Sequence, residues 1–134
     1  MTAGQQGLLW LLAAFYLAAG LLHLRSPAAF LPIVPDWVPA PYGTVIATGI
    51  AEILGALGLL IPRLRKTAGT GLALYALCVF PANLKHALEG VVLPGLPSSW
   101  WDHGPRLALQ PVLIWAALHA SGVTRWPWRR LPAK

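Results

Sequence analysis

The chain has 134 residues, with ten Lys and Arg against four Asp and Glu and a formal net charge of +6. Only 10% of its residues are charged and 57% are hydrophobic, against about 25% charged in an ordinary soluble domain. This balance argues against a soluble domain and a nucleic-acid surface, and the excess positive charge reads as a collar facing anionic lipid headgroups.

Four apolar blocks approach spanning length: Gly7–Leu24, Gly43–Ile61, Ala68–Leu88 and Leu107–Val123. A helix needs about 17–25 residues to cross a ~30 Å hydrocarbon core. The blocks predict an all-α membrane protein, one domain over residues 1–134 built as a four transmembrane helix bundle. The leader MTAGQQG carries no Lys or Arg, and no A-x-A site follows Leu24. The first block therefore reads as a retained span rather than a cleaved signal.

The connection Arg25–Pro41 holds Pro27, Pro32, Pro35, Pro39 and Pro41. That density predicts a stiff, folded-back segment without regular helix. Its apolar residues place it on the membrane surface or over the bundle as a cap. Glu52 is the only ionisable residue of the second block. It lies about ten residues below Tyr42, or ~15 Å down the helix. An intramembrane carboxyl is costly and points to a functional site. Gly43, Ala47, Ala51 and Gly55 recur every fourth residue, a spacing that predicts a helix-packing face.

The basic connection Arg63, Arg65 and Lys66 is short and makes the second and third helices antiparallel neighbours. Cys78, the only cysteine, excludes an internal disulfide and reads as a small buried hydrophobe. Asn83 falls near the end of the third block. The second connection, Gly90–Pro105, reads as a loop, with Glu89, Asp102 and His103 in solvent. In the fourth block Arg106 and Gln110 share a face as an i, i+4 pair. Pro111 interrupts this block, and His119 reads as an interfacial side chain at its end.

Arg63, Arg65 and Lys66 share a side with Arg125, Arg129, Arg130 and Lys134. The positive-inside rule then places both termini in the cytoplasm. Trp126 and Trp128 fit an inner aromatic belt; Trp37, Trp100 and Trp101 fit the outer one.

His23, Glu52, Asn83, Arg106 and Gln110 all fall in the outer half. Facing lipid they would be poorly solvated, so they should turn inward and form an outward-facing polar pocket. Glu52 can pair with Arg106 or with His23 as a structural anchor, or the cluster can hold a small ligand such as a quinone headgroup. His23, His86, His103 and Glu52 are metal-ligand types, but no H-x-x-x-H or E-x-x-H spacing occurs, and no metal is assigned. No cofactor fingerprint is present either, so the cofactor is left unassigned.

The runs GLLHLRSPAAFLPIVPDWVPAP, TGIAEILGALGLLIPRLRKTAG, VFPANLKHA and RLALQPVLIWA, in this order and spacing, resemble the DoxX-like integral membrane proteins. The matching positions are His23, Pro35, Gly49, Glu52, Pro62, Pro81, Asn83, Arg106 and Gln110. The chain departs at Leu24, where Phe is expected, and at Ala108, where Pro is expected. The resemblance implies a four-helix fold of the bacterial cytoplasmic (inner) membrane. It further implies a binding or accessory subunit for a small amphipathic, quinone-like ligand or for a membrane oxidoreductase partner. Two alternatives stand beside it: a membrane chaperone or assembly factor, and an enzyme using a His23–Glu52 acid–base pair. The lipid bilayer is an expected partner, and an oligomer is compatible with the sequence.

Overall fold

The computed structural model describes residues 1–89 and 100–127, the second stretch with side chains from Gly104 onward. The elements are α1 (Ala3–Arg25), α2 (Pro27–Phe30), a 3-10 turn (Leu31–Ile33), α3 (Pro41–Leu60), α4 (Arg65–Leu88) and α5 (Trp100–Ala120). No strand occurs among the described residues. α1, α3 and α4 are long and apolar enough to cross a membrane. α5 is of similar length but is not among them; Asp102, Arg106 and Gln110 lie along it. Leu11, Leu21, Leu54, Leu57, Leu74 and Leu77 are exposed on the surface of the three apolar helices. So large an apolar exterior needs covering, and it gives the chain transmembrane character.

Several element ends differ from the sequence reading, each for a local reason. α1 begins at Ala3 because Thr2 and Gln5 form a capping box, which satisfies two backbone N–H groups at the helix start. The proline-rich connection does contain a helical turn: Pro27 begins α2, where its missing N–H costs nothing. α5 begins at Trp100, so Asp102 and His103 are helical rather than part of a loop. α5 ends at Ala120, and Gly122 follows with a φ of 78°, a left-handed conformation that glycine adopts freely. The rest of the second connection, residues 90–99, and Trp128 to Lys134 lie outside the described residues.

The four long helices alternate in direction. At the basic end Arg65 Nε donates to the Leu59 carbonyl at 2.9 Å, and Gln5 Nε2 donates to the His119 carbonyl at 3.3 Å. The latter contact helps bury His119, whose ring stacks on Trp115 with centroids 5.1 Å apart. His119 is thus part of the interior rather than an interfacial side chain, because the first turn of α1 packs over it. The half of the molecule toward this end is sealed by Leu9, Leu12, Tyr16, Ala56, Leu59, Leu72, Ala73, Ala116, Ala117 and Ala120.

Lipid tails are as apolar as leucine, so helices in a bilayer associate through close packing rather than through water exclusion. Gly20 and Gly49 supply that packing between α1 and α3. A Cβ on Gly20 would stand 2.6 Å from the Gly49 carbonyl oxygen, and one on Gly49 would stand 2.8 Å from His23 Cβ. Gly55 takes Leu72 of α4 in the same way. The stripe expected to pack is therefore displaced. Gly43, Ala47 and Ala51 are exposed, and the buried face of α3 is Val45, Gly49, Glu52, Ala56 and Leu59. Four residues turn a helix by about 400°, so a strict four-residue repeat drifts about 40° per step away from one face.

Candidate functional site

The Gly20–Gly49 crossing builds the site. His23 is three residues beyond Gly20, and Glu52 is three residues beyond Gly49. Positions i and i+3 share a helix face, so a close crossing at the glycines brings the two polar side chains together. His23 Nδ1 lies 3.0 Å from Glu52 Oε2 and 2.8 Å from the Ala19 carbonyl oxygen. Nδ1 carries at most one hydrogen, and Oε2 has no aligned hydrogen bond among the described residues. The ring hydrogen therefore belongs to Ala19, and the carboxylate holds an electrostatic contact with the ring. On the other oxygen, Tyr75 donates its hydroxyl hydrogen to Oε1 at 2.8 Å. Glu52 is only 4% exposed.

These groups stand in the wall of a cavity of about 520 Å³. All five candidate residues, His23, Glu52, Asn83, Arg106 and Gln110, line it. It lies in the half away from the basic end, above the apolar seal. Its remaining wall is aromatic and aliphatic, including Phe15, Phe30, Trp37, Val45, Val79 and Leu113. A mostly apolar cleft with a few converging polar groups is the usual form of a small-molecule site.

The internal pairing differs from one of the two partners expected. Glu52 meets His23 and Tyr75, while Arg106 Nη1 lies 2.8 Å from His86 Nδ1. His86 is 1% exposed and lines the cavity. Cys78 is exposed and lines the cavity rather than being a buried hydrophobe, because the face of α4 that carries it turns to the opening. Thr48 shares a face with Glu52 but gives its hydroxyl hydrogen to the Val45 carbonyl at 2.7 Å.

Two tyrosines were not legible as site residues. Tyr75 holds Glu52, and Tyr16 is buried with a hydroxyl lacking a hydrogen-bond partner among the described residues. Both sit in apolar helices, where the ring hides the polar tip from any hydropathy pattern. A tyrosine in a span is itself the available signal, since a buried hydroxyl normally seeks a partner.

The proline-rich connection covers the cavity. Phe30 stacks on His23 with centroids 4.1 Å apart. Lys85 Nζ donates to the Val34 carbonyl at 3.1 Å and to Asp36 Oδ1 at 2.8 Å, fastening the segment to α4. The Lys85 ammonium holds the exposed Asp36 carboxyl below its ordinary pKa. Among the described residues no three His, Cys, Asp or Glu side chains gather as a metal site.

A family described as Domain of unknown function (DUF8561) matches residues 12–121. The chain belongs to that family. The matched span takes in most or all of each long helix and every candidate residue of the cavity. No curated protein and no solved structure matches the chain.

Proposed function

We propose that this DUF8561 member is a DoxX-like binding or accessory protein of the bacterial cytoplasmic membrane. In this reading α5 is a fourth span, both termini are cytoplasmic, and the cavity opens toward the outer leaflet. The cavity holds a small amphipathic molecule, quinone-like in having a compact polar head on an apolar body, alone or on behalf of a membrane oxidoreductase. One observation carries the reading: the buried Glu52, whose Oε2 has only the 3.0 Å contact with His23 and no aligned hydrogen bond, belongs to the wall of a mostly apolar cavity of about 520 Å³.

Orientation rests on Arg63, Arg65, Lys66 and Arg125 gathering toward one end. A phosphatase reporter fused after Lys134 should be inactive in a bacterial host, and one fused after Pro94 active. The reverse pattern would overturn the orientation and move the cavity to the cytoplasmic leaflet.

The binding role is tested by purifying the full chain in mild detergent and analysing it by native mass spectrometry. The parent should carry a small apolar-bodied molecule, and Glu52→Gln should carry less of it while melting near the parent. Equal loading of the two chains would remove Glu52 from the binding role. A second reading, proton transfer by His23 and Glu52, is favoured by their 3.0 Å contact. It requires a chemically changed product, which the same spectra would reveal on incubation with the recovered molecule.

A further inference from the structure

The polar atoms left over in the cavity wall constrain the head of the ligand. Glu52 Oε2 is buried, touches His23 Nδ1 at 3.0 Å without an aligned hydrogen bond, and belongs to a side chain lining the cavity. Its neighbour oxygen is already served by Tyr75. The one hydrogen that His23 Nδ1 can carry is directed to Ala19. With Tyr75 donating to Oε1 and the ring nitrogen of His23, which carries its own hydrogen, beside Oε2, the carboxyl stands as an acceptor, so whatever meets Oε2 must donate. Gln110 Oε1 is a second buried acceptor in the same wall without a partner among the described residues. The buried Tyr16 hydroxyl, also without one, can donate or accept. It therefore does not distinguish one head from another.

We infer that the cavity selects molecules whose polar head carries an O–H or N–H donor, and discriminates against heads that only accept. This deepens the binding role proposed above and rests on it. A quinol fits this requirement and the corresponding quinone does not; a lipophilic amine fits it and its fully alkylated analogue that cannot be protonated does not. Discrimination should be substantial. An analogue lacking the donor leaves the buried acceptor without the hydrogen bond that the donor supplies.

The test uses two probe pairs in which methyl groups cap the donor of one member. The first pair is 4-hexylphenol and 4-hexylanisole. The second is 4-hexylaniline and its N,N-dimethyl derivative. Each is titrated calorimetrically into the detergent-purified full chain near neutral pH, with detergent alone as the blank. The phenol, the aniline or both should bind at one saturable site about tenfold or more tighter than the capped partner. Preference in the first pair only would identify an O–H head, and in the second only an N–H head.

Glu52→Gln should abolish or reverse the preference. Tyr75 keeps the amide oxygen on its side, so the amide N–H group points where Oε2 stood and now favours an acceptor. The comparison within each pair on the parent chain needs no variant, so a misfolded Glu52→Gln would not rescue or sink it. Equal affinities within both pairs would overturn the inference while leaving the binding role standing. Absence of saturable binding by all four probes would overturn both.

Discussion

Glu52→Ala should lower the stability of the detergent-purified chain by about 3–5 kcal/mol, the usual cost of breaking a buried pair by removing one partner. The variant strands the Tyr75 hydroxyl, which donates to Oε1 at 2.8 Å, and removes the carboxylate 3.0 Å from His23. Glu52→Gln should be far milder, about 1 kcal/mol, because an amide oxygen can still accept from Tyr75. The pattern of coupling is more diagnostic than either value. His23→Ala combined with Glu52→Ala should fall short of the sum of the two single effects by about 0.5–3 kcal/mol. Arg106→Ala combined with Glu52→Ala should be close to additive, since Arg106 contacts His86 instead. Melting or denaturant curves of the six variants in one detergent would decide this. Strong coupling to Arg106 and none to His23 would contradict the pairing.

Gly20→Ala should be among the most damaging single methyls that can be added to the bundle. The new Cβ would stand 2.6 Å from the Gly49 carbonyl oxygen and 2.7 Å from Ile53 Cγ1. The first of these is backbone and cannot rotate away, so α1 and α3 must separate. Overpacking of this kind costs about 1–3 kcal/mol, occasionally more. The crossing also sets His23 opposite Glu52, so the variant should loosen the site as well as the fold. Gly71→Ala is the control: a Cβ added there would meet nothing within 4 Å. It should be neutral or stabilising by up to ~1 kcal/mol through helix propensity alone. Equal melting of the two variants would refute the close crossing.

How much of this could be read from sequence depends on which physical signal each feature leaves. Long apolar blocks announce helices, and α1, α3 and α4 appear within a few residues of the expected bounds. Glu52 stands out because nothing else in its block is ionisable, and the depth of His23, Asn83, Arg106 and Gln110 was enough to place them around one opening. Partner choice was not legible. It depends on where α1 and α3 cross, and that is set by Gly20 and Gly49 rather than by the more conspicuous repeat from Gly43 to Gly55. The start of α5 was hidden for a different reason: Asp102, His103, Gly104 and Pro105 have the composition of a loop, yet the helix runs through them. Tyr16 and Tyr75 blend into apolar helices until their hydroxyl groups are placed. The fastening of the cap by Lys85 joins residues 49 positions apart in the chain, which no local pattern could join.

The central claim is that Glu52 faces a cavity that a small apolar-bodied molecule can enter. Labelling with dicyclohexylcarbodiimide, which reaches carboxyl groups in apolar surroundings, tests it most directly. Peptide mass spectrometry of the full chain should find an adduct on Glu52, and the labelling rate should fall several-fold when 4-hexylphenol is present. Labelling of the exposed Asp36 should not change. A Glu52 that stays unmodified, or one labelled at the same rate with and without the phenol, would contradict the account.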